Sequence, residues 1–398
     1  MAGASETFRA FLREQYERVF GRPWPVLTSA LVIASLNVFL FAFDRPWTAS
    51  DGIRNWGDWL FRSVGMINQP DLLSPLLYSG SVLNLGLLLG GFSAALLGRE
   101  FGVRMAPVAE LVKGALGGLM MGWGAVLAFG CNIGGFFSAL SALSLSGLAM
   151  MVGLAVGAFL GTRYLSWEAH LARSPADAQF QSPCEPPPAT PSSASFGLQP
   201  LIGFLVFFAL LIVANIYRQL GYAPQATFLL FGVAFGVVFQ RSRFCLVRAF
   251  REPFMSGESK HTQAAALALT LSMIGFSILK ATDLRDSTEW VFSSFWFGAL
   301  VGGSLFGVGM VIAGGCGAGS IWRAGEGHIK LWVAVLCFAV GASATRLLLV
   351  RVELLGKLGS ALFLPDLVGW AGAVWCVVAL MTVWYLLAGW NEQRRQST

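Results

Sequence analysis

The chain has 398 residues, of which 56% are hydrophobic and 12% charged, with a mean hydropathy of +0.66 and a formal net charge of +6. A soluble domain carries about 25% charged residues, so a soluble enzyme is excluded, and six cysteines are too sparse for a disulfide scaffold. What remains is an integral membrane protein, in which the positive balance belongs to cytoplasmic loops and not to nucleic acid.

Residues 1–25 hold seven charges and no cleavable-signal pattern, and read as a cytoplasmic amphipathic lead-in. A first span is expected at Val26–Phe43. Residues 44–78 are polar but contain Trp47, Trp56 and Trp59, which suits a segment lying along the membrane interface. Apolar blocks follow at 79–98, 108–142, 147–165, 200–218, 226–250, 261–280, 292–325, 329–350 and 367–389. A helix needs about 20 apolar residues to cross a bilayer, so these blocks predict an all-α polytopic membrane protein of ten crossings. The Pro/Ser-rich stretch 166–199 is a linker between a first membrane half, 26–165, and a second, 200–390, with residues 391–398 as a tail. With both termini inside, 18 of the 27 Lys and Arg fall on cytoplasmic segments, which obeys the positive-inside bias.

Three of the blocks, 108–142, 226–250 and 292–325, are long or glycine-broken, and each contains one cysteine. Sliding the chain by 185 residues brings Gly117, Gly118, Gly122, Gly124, Ala128, Gly130, Cys131 and Gly134 onto Gly302, Gly303, Gly307, Gly309, Ala313, Gly315, Cys316 and Gly319. In the ten-crossing scheme the copies enter the membrane from opposite sides. That is an inverted pseudo-symmetric repeat with re-entrant or broken half-helices meeting near the midplane, the plan of many transporters. Short helices starting at Asn132 (132–140) and Gly317 (317–324) would aim their positive ends at the two thiols. GxxxG spacing by itself also lets helices pack tightly, but packing does not call for Gly-Cys at the same offset twice.

Cys131, Cys245 and Cys316 therefore differ from Cys337 and Cys376, which lie in unbroken apolar runs, and from Cys184 in the linker. Thiols beside helix N-termini, or beside Arg243 and Arg248 for Cys245, are soft hydrogen-bonding groups. Such groups suit a polarisable sulfur or selenium anion. No CxxC or HxxxH spacing calls for a metal, no motif calls for a cofactor, and the near absence of Asp and Glu inside the spans speaks against a carboxylate proton relay. Arg323, Glu326 and His328, with Glu110 and Lys113, read either as interface-level charge or as an exit or docking patch. Two other functions stay open: a membrane sulfurtransferase forming a persulfide on Cys245, and a docking protein that binds a soluble carrier on its basic loop 241–260.

The segments FGVAFGVVFQRSRFCLVRAFREPFMSG, AFGCNIGGFFSALSALSL and AGGCGAGSIWRAGEGHIKLW resemble signatures of the YeeE/YedE family of sulfur-compound transporters, most closely its YedE-like branch. The likeness extends from about residue 79 to 389. It implies an inner-membrane permease with a narrow path lined by Cys131, Cys245 and Cys316, flanked by Gly130, Asn132, Gly134, Gly315, Gly317, Gly319, Arg243 and Arg248, through which thiosulfate is taken up. It further implies a link to a small TusA-like cytoplasmic sulfur carrier, while the YedE-like branch is associated with selenium. The order of the halves and the added segment 1–78 depart from the shorter thiosulfate members of that family.

Overall fold

The computed structural model describes residues 10, 11, 13–67, 70–171 and 198–397. Cys184 and most of the expected linker lie outside the described residues, as do residues 1–9 of the lead-in. Among the described residues the chain is helical, without strands. The helices are α1 (Val26–Phe43), α2 (Ser50–Ser63), α3 (Ser79–Leu97), α4 (Val108–Leu127), α5 (Asn132–Ser141), α6 (Leu145–Leu171), α7 (Leu198–Gln219), α8 (Ala223–Ser242), α9 (Leu246–Arg251), α10 (Lys260–Ala281), α11 (Phe297–Ala313), α12 (Gly317–Gly325), α13 (Ile329–Arg351) and α14 (Leu364–Gln396). Among the described residues, nine spans are long and apolar enough to cross a membrane, or ten when the bent pair α4 and α5 counts as one. The protein is thus an all-α, multi-pass membrane protein.

Local sequence explains the helix limits. Pro224 and Pro365 sit in the first turns of α8 and α14, where a missing N–H costs nothing. Three helix pairs are interrupted through a left-handed residue: Phe129 (φ 59°) between α4 and α5, Arg243 (φ 55°) between α8 and α9, and Gly314 (φ 78°) between α11 and α12. Only Gly314 adopts that conformation freely; for Phe129 and Arg243 it costs about 1–2 kcal/mol each, which the surrounding packing must supply.

Small residues decide how the helices meet. A Cβ added at Gly117 would lie 2.6 Å from the carbonyl oxygen of Gly309, and one at Gly309 2.6 Å from that of Gly117. Gly124 and Gly302 stand in the same relation, at 2.4 and 2.6 Å. Helices α4 and α11 therefore run antiparallel with their backbones in contact. Because residue 117 corresponds to 302 and 124 to 309 along the sequence, each contact is the exchange of the other, as across a two-fold axis. The outer faces follow suit: Gly118 and Gly122 abut the carbonyls of Ala334 and Phe338 on α13, while Gly303 and Gly307 abut those of Met150 and Leu154 on α6. Gly124→Ala should destabilise the folded protein by about 1–3 kcal/mol, since backbone and not a flexible side chain fills the space. A thermal unfolding midpoint equal to wild type in detergent would contradict this seam.

Residues 44–78 pack closely on the rest of the bundle. Helix α2 buries Ser50, Gly52, Ile53, Asn55, Gly57, Asp58 and Phe61 against α3 and α13. Trp47 is buried and stacked on Phe235 at 4.2 Å between ring centroids, so it is a core residue and not a membrane anchor.

Candidate functional site

The three breaks bring three thiols together. Cys131, Cys245 and Cys316 are the N-cap residues of α5, α9 and α12, all in extended backbone, and all at most 3% exposed. Cys316 accepts a hydrogen bond on its sulfur from the backbone N–H of Gly319 at 3.3 Å, the side-chain cap that an N-terminal turn asks for. A Cβ at Gly319 would lie 3.2 Å from the Cys316 sulfur and 3.8 Å from that of Cys245, and one at Gly317 3.8 Å from Cβ of Cys131. Glycine at 317 and 319 thus leaves the room between the thiols open.

The remaining glycines serve the breaks. Gly130 folds against the backbone of Gly135, and Gly315 against Ser320. Gly134 is pressed against Thr48, whose hydroxyl oxygen would be 2.3 Å from an added Cβ, and its carbonyl accepts from Trp290 Nε1 at 3.2 Å. Asn132 is fully buried beside Cys316, yet its Nδ2 and Oδ1 make no well-formed hydrogen bond to the protein. A buried carboxamide without partners is costly, and this one is a polar group held ready beside a thiol.

Arg243 and Arg248, which flank Cys245 in sequence, are both paired with carboxylates. Arg243 pairs with Glu326 (2.8 Å) and Glu100 (2.5 Å), and Arg248 with Glu252 and with Glu258 (3.3 Å). Four residues of the RSRFC region and its surroundings complete a buried network: Gln240 donates to Glu100 (2.7 Å) and Glu326 (2.9 Å), Arg241 pairs with Glu100 (3.1 Å), and His328 accepts from Arg104 (3.1 Å). Arg323 donates to the carbonyl of Gly314 (2.9 Å), tying α12 back to the break before it. The Arg323 and Glu326 pattern is therefore neither loose interface charge nor a free docking patch, because both are fully buried. Glu110 and Lys113 instead join Lys330 and Glu168 in a separate set of ion pairs between helices.

On the other side of the thiols lies a cavity of about 280 Å3 that reaches Thr48, Ser50 and Gly130 and is lined by Arg45, Arg54 and Arg346. Arg45 pairs with Asp51 (2.5 Å), and Arg54 and Arg346 share Asp58 at 3.7 and 4.0 Å. Three guanidiniums against two carboxylates leave a positive excess facing the cavity. At its floor, Ser50 Oγ accepts from the backbone N–H of Cys131 (3.1 Å), and Thr48 Oγ1 stands 3.1 Å from Ser50 Oγ and 4.0 Å from the Cys131 sulfur. Neither hydroxyl was singled out from the sequence. Thr48-Ala49-Ser50-Asp51 is, however, a helix-start signal that would have placed a half-helix here.

The chain is thus a multi-pass helical bundle broken at three buried cysteines, with a cationic cavity on one side and an ion-pair network on the other. A family model described as sulphur transport matches residues 4–160 and 241–398, and the chain belongs to that family, YeeE/YedE. It is similar to the probable transporter YedE of Escherichia coli strain K12, at 28% identity over 80% of each chain, and to its Salmonella typhimurium counterpart, at 27% over the same shares. A shorter region is similar to the thiosulfate transporter TsuA of Spirochaeta thermophila, 38% identical over 30% of this chain and 36% of that one.

Proposed function

We propose that the chain is an uptake permease of the inner membrane for thiosulfate or a closely related sulfur anion. The observation that carries it is the convergence of three N-cap thiols at one buried place. The anion would gather at Arg45, Arg54 and Arg346, meet the hydroxyls of Thr48 and Ser50, pass to Cys131, Cys316 and Cys245 in turn, and leave past Arg243. A relay of weak, separate donors lets a solute enter without being held. The soft terminal sulfur of thiosulfate suits thiols, and its sulfonate oxygens suit hydroxyls and N–H groups.

The exchanged glycine contacts between α4 and α11 support the inverted repeat, with the two copies meeting at the relay. The excess of Arg and Lys on segments 99–113, 241–260 and 323–330 supports an orientation with the ion-pair network facing the cytoplasm. A TusA-like carrier would then receive sulfur at that end. The persulfide alternative loses its motive, since the guanidiniums meant to activate Cys245 are engaged by carboxylates. A selenium-containing anion of the same shape would fit the same donors.

The test is uptake of labelled thiosulfate into proteoliposomes, with sulfate, selenite and selenosulfate as competitors. Competition by selenosulfate but not sulfate is expected, and Thr48→Val should raise KM about 5- to 10-fold by removing one hydrogen bond of about 1 kcal/mol. Equal competition by sulfate would reject selection by thiols.

A further inference from the structure

Cys245 and Cys316 turn their sulfurs to one point: a Cβ added at Gly319 would lie 3.2 Å from the Cys316 sulfur and 3.8 Å from that of Cys245. Both are free thiols, and both are buried. Cys131 is placed differently, with its sulfur turned toward the Thr48 hydroxyl. Two thiols so close form a dithiol, and a dithiol cleaves sulfur–sulfur bonds by exchange through a mixed intermediate. The Cys316 sulfur already accepts the Gly319 N–H at 3.3 Å as the cap of a nine-residue helix.

We propose a further activity of this pair: it reduces polythionates, anions in which two sulfonate groups are joined through sulfur, and is itself converted to a Cys245–Cys316 disulfide. With tetrathionate, the Cys316 thiolate attacks an inner sulfur. The central sulfur–sulfur bond breaks, one thiosulfate leaves with the electron pair, and Cys316 carries a sulfenyl thiosulfate. The Cys245 thiolate then attacks the Cys316 sulfur, forming the disulfide and expelling a second thiosulfate. Two thiols and one tetrathionate thus give one disulfide, two thiosulfates and two protons; the thiols are oxidised and tetrathionate is reduced. The disulfide removes both donors from the relay and so closes it until a thiol reductant restores them. The closure rests on the proposed transport route, whereas the exchange rests on the thiol geometry alone.

The full chain, with Cys184, Cys337 and Cys376 replaced by alanine, is reduced, treated with tetrathionate, alkylated and mapped by mass spectrometry. The expected product links the peptides bearing Cys245 and Cys316, leaves Cys131 alkylated, and releases two thiosulfates for each link. In Cys245→Ala the reaction should stop at the sulfenyl thiosulfate on Cys316, with one thiosulfate released. A link that includes Cys131, or unreacted Cys245 and Cys316, overturns the proposal. In proteoliposomes, tetrathionate should abolish thiosulfate uptake and dithiothreitol restore it; undiminished uptake by the linked protein overturns the closure. Absence of uptake by the reduced protein would reject the transport reading and leave the mapped disulfide as a separate result.

Discussion

Alanine at position 316 should lower thiosulfate uptake about 10- to 100-fold, the loss expected when one hydrogen bond of about 1.5–3 kcal/mol to a charged group disappears. Cys316 is the thiol with neighbours on both sides: Cys245, whose sulfur faces the same space beside Gly319, and Cys131 across the gap kept by Gly317. Its sulfur is also the one seen to accept a helix N-terminal N–H. Removing it leaves a gap in the middle of the relay that neither neighbour spans, whereas Cys131→Ala and Cys245→Ala each remove an end. Cys337→Ala should transport normally, because Cys337 lies on α13, outside this cluster. Uptake by Cys316→Ala within two-fold of wild type, in protein of unchanged thermal stability, would dismiss the thiol relay.

Glu326→Ala should destabilise the fold by about 3–5 kcal/mol, the cost of removing one partner from a buried ion pair. Glu326 is fully buried and accepts from Arg243 (2.9 Å) and Gln240 (2.9 Å), two side chains from the turn that carries Cys245. Without it, Arg243 keeps Glu100 alone while holding a strained left-handed backbone. Glu326→Gln retains one acceptor oxygen and should lose less. The measurement is thermal unfolding in detergent, read together with the rate at which anion leaks from loaded proteoliposomes; a faster leak is expected if this network shuts the cytoplasmic end. Unchanged unfolding in Glu326→Ala would show that the pairs do not hold the Cys245 turn.

The breaks were legible in the sequence because helix interruption is local. The glycines before Cys131 and Cys316, and a polar RSR run inside an apolar block, mark where a helix must stop, and each structural break lies there. The partners of Arg243 were not legible. They come from Glu100, on the loop after α3, and Glu326, at the end of α12, and no spacing rule joins residues so far apart. The contacts of residues 44–78 were not legible for a related reason: an amphipathic helix has the same pattern whether its polar face meets water or a polar cavity. Only the packing of α2 against α3 and α13 shows that Thr48 and Ser50 stand beside Cys131.

The sequence by itself determined the membrane class, the three cysteine-marked breaks and the 185-residue repeat, since hydropathy, glycine and periodicity act over neighbouring residues. The tertiary structure alone decided which thiols share the space beside Gly319, that Asn132 is fully buried, and which carboxylates hold Arg243. Those depend on glycine backbones from distant segments approaching within van der Waals contact, a property of the assembled bundle and of no single stretch of chain.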